Sequence, residues 1–315
     1  MTRLTRLSFF LGAAVIAGCG GASETPLPEQ GDVLDPATDP FWEERRSQDA
    51  YFPNGGYLLD RSIAGIVNRF SILGTEGGTA AIGFDLDGKV SEEGEEESCG
   101  HGDLASLEGT AGIDNQFAKV WDIIEPLVGE QVNALLLEAI NEGRFLLVIE
   151  LSEVDDLIND NDVTLTLMRG KLQPQVGASG FLLPSQTYGI DPDFPVSQIT
   201  GAAIVNGVLE AGPIEVRIPI EIFDANFVMT IAAGRVRVSI DPETGAFTGM
   251  VGGTVNVQDI MDELLSTGAG AEAELIKPFL ENNADLNKVG DVCEGLSSAI
   301  GFESTAGYVI HYPSD

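Results

Sequence analysis

The chain has 315 residues, a formal net charge of −34 and 43% hydrophobic side chains. That acidity excludes a phosphate-binding surface, because nucleic-acid affinity rests on lysine and arginine. It equally opposes docking on anionic lipid headgroups through charge, while the hydrophobic fraction is that of a globular protein long enough for a substantial core.

Arg3 and Arg6 precede an apolar run from Leu7 to Ile16, followed by small residues. That order is a secretory signal, and its apolar run is far shorter than the roughly 20 residues a bilayer span needs. Ile16-Ala17-Gly18-Cys19 resembles the lipobox of bacterial lipoproteins. The resemblance implies removal of residues 1–18 and acylation of Cys19. Gly20, where an aspartate would resemble an inner-membrane retention signal, implies the outer membrane. Residues 19–48 then read as a lipidated cysteine and a flexible tether, with Pro26, Pro28, Pro36 and Pro40 among polar residues. Residues 49–315 read as one globular domain. The expected partner is the membrane, reached through the anchor; a protein or small-ligand partner is left open.

In the folded part, Leu58–Leu73 is apolar and Ala80–Leu86 reads as a strand. A glycine- and acid-rich loop follows over residues 87–112. Asp114 is a plausible N-cap for a long helix, with Phe117, Val120, Trp121, Ile124, Leu127, Leu135 and Ile140 at 3–4-residue steps. Pro126 should kink or split it. From Phe145 the period becomes two. Strands are expected over 145–151, 163–168, 198–210, 214–222, 227–240 and 246–255. Turns are expected at Ala211-Gly212-Pro213, at Asp224-Ala225-Asn226 and at Asp241–Gly245. Ile260–Leu265 and Leu275–Leu280 mark C-terminal amphipathic helices, and 302–312 a last strand. The fold class is therefore α+β or mainly β. It is an antiparallel β-meander, sandwich-like or curved, packed with one long N-terminal helix and C-terminal helices.

Once Cys19 is lipidated, Cys99 and Cys293 remain, and an even pair in an oxidising compartment is most simply a disulfide. Alternating oxygens with a glycine turn suit Ca²⁺, which takes six to eight oxygen ligands. Asp85 and Asp87, before Gly88, are one candidate set, to which Asp103 and Asp114 add ligands if the loop folds back. Asp285, Asn287 and Asp291, with Gly290, resemble an EF-hand-like or dockerin-like loop. Val289 and Leu296 stand where two further ligands belong. A third acidic stretch, 153–162, suits a turn. His101 and His311 are isolated, and no His-Glu-x-x-His, Gly-x-Ser-x-Gly or phosphate-cradling motif occurs.

Phe84–Gly88, Cys99, Asp103, Gly112–Asn115, Val154–Leu157 and Gly290–Glu294 are together similar to a set of secreted lipoproteins of myxobacteria and related bacteria. That resemblance implies no particular activity. The expectation is an outer-membrane-anchored lipoprotein with a binding or structural role, with Ca²⁺ ordering an acidic loop. A carboxylate-based hydrolase and a carrier of a lipid or other apolar ligand are the alternatives.

Overall fold

The computed structural model describes residues 61–311 apart from 223, 224, 267 and 269, all within one compact unit. The signal segment, Cys19 and the tether lie outside the described residues.

Twelve strands and three helices are described. β1 (Ile63–Ser71), β2 (Leu104–Ala105) and β3 (Ala111–Ile113) precede helix α1 (Gln116–Asn141). Then follow β4 (Leu147–Ser152), β5 (Asn159–Lys171), β6 (Gln186–Ile190), β7 (Ser197–Val205), β8 (Val208–Ile222), β9 (Ala225–Ile240) and β10 (Phe247–Asn256). Helices α2 (Val257–Ser266) and α3 (Gly270–Glu281) lead to β11 (Leu286–Val289) and β12 (Val292–Ile310).

The large antiparallel sheet closes on itself. β1 pairs with β4, β4 with β5, β5 with β7, and β7 through β10 form a meander. β10 then pairs with β12, and β12 returns to β1. Eight antiparallel strands thus form a barrel with no free edge in the ring. Alternation decides what lies inside. On β9, Val236, Val238 and Ile240 are buried in the main core while Arg235, Arg237 and Ser239 face outward. Leu147, Ile149 and Leu151 on β4, with Val163, Leu165 and Leu167 on β5, fill the same interior. An apolar lumen with charges outside is the reverse of a membrane-spanning barrel.

The opposite faces of β1, β4 and β5 carry a second apolar cluster with Ile66, Leu146, Val148 and Met168. β6 covers it. It pairs in parallel with the end of β12 and in antiparallel with Gly170-Lys171 of β5, bringing Tyr188 over the cluster. His311 Nε2 lies 3.0 Å from Glu150 Oε2 beside this layer.

Several expectations change. The helix is not N-terminal, since three strands precede it, and it runs 26 residues unbroken through Pro126. Its cap is Asn115, whose Oδ1 accepts from the Ala118 N–H at 3.2 Å, rather than Asp114. Residues 80–86 form isolated bridges only. The expected strand 198–210 is broken by Asn206-Gly207, both at positive φ, which makes a two-residue hairpin between β7 and β8. Conversely, Gly212-Pro213 does not turn the chain. β8 runs on through a register shift between Ala211 and Ile214. The C-terminal region beyond α3 is a β-hairpin and the 19-residue β12, not helical.

Candidate functional site

One end of the barrel carries the two short hairpins at Asn206-Gly207 and Asp241–Ala246. The other end is covered by the helices. α1 leads directly into β4, so the helix lies across the mouth and turns Leu136 and Ala139 onto the main core. Its start is clamped from within. The Gln116 N–H donates to Ser297 Oγ (2.8 Å), and Ser297 Oγ donates to Asp285 Oδ2 (2.7 Å). Asp285 Oδ1 also accepts the Ser297 N–H at 2.8 Å. Burial pushes the Asp285 carboxyl up to about 6 against the pull of these hydrogen bonds.

Beneath the helices lies a cavity of about 220 Å³. The barrel wall supplies Phe70, Phe145, Ile218, Met229, Val255 and Leu296. The helical cover supplies Phe117, Val132, Leu136, Ile260 and Leu280. Ser298 is the one polar side chain in the lining, and its hydroxyl faces the Gly253 carbonyl at 3.4 Å. No titratable group is among the lining residues. A dry apolar cavity of about 150 Å³ already admits benzene, so this one has the volume for a short hydrocarbon or an aromatic group. Two grooves adjoin it. One, of 390 Å³, shares Phe70, Ile72 and Leu136 with it and adds Arg69, Glu125 and Asn133. The other, of 350 Å³, shares Met229, Val255 and Ile260 and adds Thr230, Asp259, Asp262 and Glu263.

The acidic loop lies elsewhere. Asp85, Asp87 and Asp114 each bring one oxygen within 4.8 Å of the others. The loop is wound by its own carboxylates. Asp85 Oδ1 accepts the Gly88 N–H and Asp114 Oδ2 the Leu86 N–H, both at 2.6 Å, while Asp103 Oδ2 accepts the Ser91 N–H at 2.7 Å. Asp114 is only 2% exposed. Burial, followed by the nearby Asp103, Asp87 and Asp285, drives its carboxyl from an ordinary 3.8 up to about 8. Asp103 is raised too, mainly by burial. The residues present suit a hard cation with oxygen ligands.

The sequence paired Asp85 with Asp87 and offered Asp103 and Asp114 as ligands on a loop that folds back; the structure brings in Asp114, 27 residues on, and leaves Asp103 outside the group. Asp285, by contrast, is turned inward onto Ser297, while Asn287 and Asp291 are exposed on the β11–β12 hairpin. Cys99 and Cys293 are bonded, with Cα atoms 6.0 Å apart. The cavity walls read in sequence as ordinary core, since a lining leucine and a packed one share the same periodicity.

The charge state of Asp114 gives a pH prediction. Its folded value lies above its unfolded one, so the folded chain binds the extra proton between about pH 4 and pH 8. Its stabilising contribution is whole below that window and is lost as pH rises through it. Asp114→Asn keeps an oxygen for the Leu86 N–H and removes the charge. Its urea midpoint should exceed that of the wild type at pH 9 and converge with it at pH 4. Parallel curves for the two proteins would contradict this.

Fold and cavity together define a closed antiparallel barrel with a helical cover over an apolar mouth. No protein-family model, no curated protein and no solved structure matches the chain.

Proposed function

We propose that this chain is an outer-membrane-anchored lipoprotein whose barrel binds an apolar small molecule in the cavity beneath its helices. The single observation behind the binding role is that cavity: 220 Å³ at the mouth of a barrel whose lower interior is filled by side chains, with one hydroxyl in its wall. Ligand sites are concave, mostly apolar and favour barrel mouths. A lining with no acid or base to activate its one hydroxyl supports holding a molecule rather than transforming it. The anchor rests on the residues before Cys19, and the Cys99–Cys293 bond agrees with an exported chain.

Titration with N-phenyl-1-naphthylamine, a neutral apolar fluorophore, tests the reading. The wild type should enhance its emission with saturable binding. Ile260→Trp fills the cavity from partly exposed α2 and should weaken binding by about tenfold or more, which is about 1.4 kcal/mol. Leu275→Ser removes an apolar side chain that is 72% exposed on α3 and should change nothing. Equal binding by wild type and Ile260→Trp, or loss of binding in Leu275→Ser, would overturn the cavity as the site.

A second role is favoured by the Asp85–Asp87–Asp114 cluster: Ca²⁺ ordering the acidic loop. In the pH series above, added Ca²⁺ would raise the wild-type midpoint at pH 8 and leave Asp114→Asn unmoved.

A further inference from the structure

The two grooves beside the cavity differ in what they offer the end of a ligand that reaches past its 220 Å³. On the α2 side, Met229, Val255 and Ile260 line both the cavity and the groove, so these three side chains form the rim that the two share. The groove beyond is walled by Asp259, Asp262 and Glu263, one turn of α2, with Thr230 opposite. None of its lining residues is a lysine or arginine.

Two cations on the neighbouring elements are paired elsewhere. Arg217, paired across the sheet with Thr230, is held by Glu215 at 2.7 Å, and Lys277 on α3 faces Glu281 at 3.7 Å. The carboxylates' partners are neutral: Gln258 Nε2 donates to Asp262 at 2.7 Å, and Ser266 Oγ faces Glu263 at 3.4 Å. Hydrogen bonds from neutral groups leave the charge uncancelled. At the other groove Arg69 is spent on Glu303, and Glu125 adds a further negative charge. An anionic headgroup therefore meets repulsion at either groove, whereas a cation finds three carboxylates beside the rim of an apolar hole.

From this charge complementarity, and resting on the cavity reading above, we propose that the ligand is a cationic amphiphile. An alkyl or aryl chain occupies the cavity, and a protonated amine or quaternary ammonium head sits against Asp259, Asp262 and Glu263. The carboxylates alone would be solvated surface; the apolar cavity that shares its rim with their groove supplies the site for the ligand's other half.

Calorimetric titration of the folded domain with dodecylamine, dodecan-1-ol and dodecanoate tests this. The runs use pH 7 and about 0.15 M salt, where charges beyond roughly 8 Å are screened, with each amphiphile below its micelle concentration. Dodecylamine should bind about tenfold tighter than dodecanol, and dodecanoate more weakly than either. Asp259→Asn/Asp262→Asn/Glu263→Gln should bring dodecylamine down to the dodecanol affinity and leave dodecanol unchanged. Neutralising Asp155 and Asp156 on the β4–β5 loop and Asp162 near the start of β5, at the far end of the barrel, should leave the preference intact. Equal binding of all three amphiphiles overturns the cationic head and leaves the cavity reading standing. Loss of the preference in the far-end variant shows attraction to net charge alone and overturns it as well. Failure of all three to bind removes the cavity reading and this inference together.

Discussion

Separating Cys99 from Cys293, as Cys99→Ser with Cys293→Ala, should destabilise the domain by about 5 kcal/mol. The bond spans 194 residues, and closing a loop of that length removes roughly this much chain entropy from the unfolded state. A serine at 293 would confound the result. Cys293 is buried among Val257, Met261, Leu280 and Leu296, where an unpartnered hydroxyl is costly. Alanine avoids that charge on the ledger. The bond joins the loop before α1 to the start of β12. Lys288 on β11 reaches Glu96 at 3.0 Å beside it, an exposed pair worth little alone. Urea unfolding of the variant should show a large fall in midpoint, and the wild type should reproduce it under reductant. A midpoint within error of the oxidised wild type would show that the unfolded chain gains nothing from opening the loop.

The second large effect lies inside the barrel. Phe247→Ala should cost about 3–5 kcal/mol, the usual range for deleting a buried ring. Phe247 is fully buried, and its N–H donates to Ser304 Oγ at 2.8 Å. Its ring lies over Gly65 on β1. A Cβ at Gly65 would meet Phe247 Cδ2 at 2.5 Å and Ser304 Oγ at the same distance. Gly65 is glycine because the ring occupies that space, with no unusual backbone angle required. Gly65→Ala should therefore be destabilising alone and much less so with Phe247→Ala. The double-mutant cycle would read a coupling between the two strands. Additive losses would mean that the crowding at Gly65 comes from Ser304 and not from the ring.

Much of the fold is legible locally. The alternation on β9 and β10 and the Asp241–Gly245 hairpin follow from period and turn chemistry alone. So do the apolar steps along α1, α2 and α3. The failures have common causes. Asn206-Gly207 sat inside a run that looked like one strand, although Asn-Gly is a strong two-residue turn signal. Gly212-Pro213 carried a strong turn signal, yet pairing with β9 on both sides of the bulge held the strand straight. Pro126 failed to break α1 because packing of the helix over the barrel mouth outweighs one lost hydrogen bond. Residues 285–296 looked helical or metal-binding because Asp, Asn and Gly serve turns of every kind.

The candidate site divides in the same way. Asp85 and Asp87 were visible as neighbours, but Asp114 joins them only through the bridge between Phe84 and Asp114. The cavity was invisible: Phe117, Leu136 and Ile260 carry the same pattern whether the space before them is filled or empty.

By itself the sequence determined strand and helix periodicity, the even cysteine pair and the strongly acidic charge, because each depends on local spacing or on composition. Only the tertiary structure decided that the sheet closes through β1–β12 and β5–β7. Only it showed that three helices meet over one mouth, and that carboxylates line a groove beside it while apolar side chains line the interior. Those outcomes depend on contacts between residues about 30 positions apart, as in Leu167–Ser197, to more than two hundred apart, as in Ala64–Gly307, where register and volume are settled by global packing and leave no mark on any short stretch of chain.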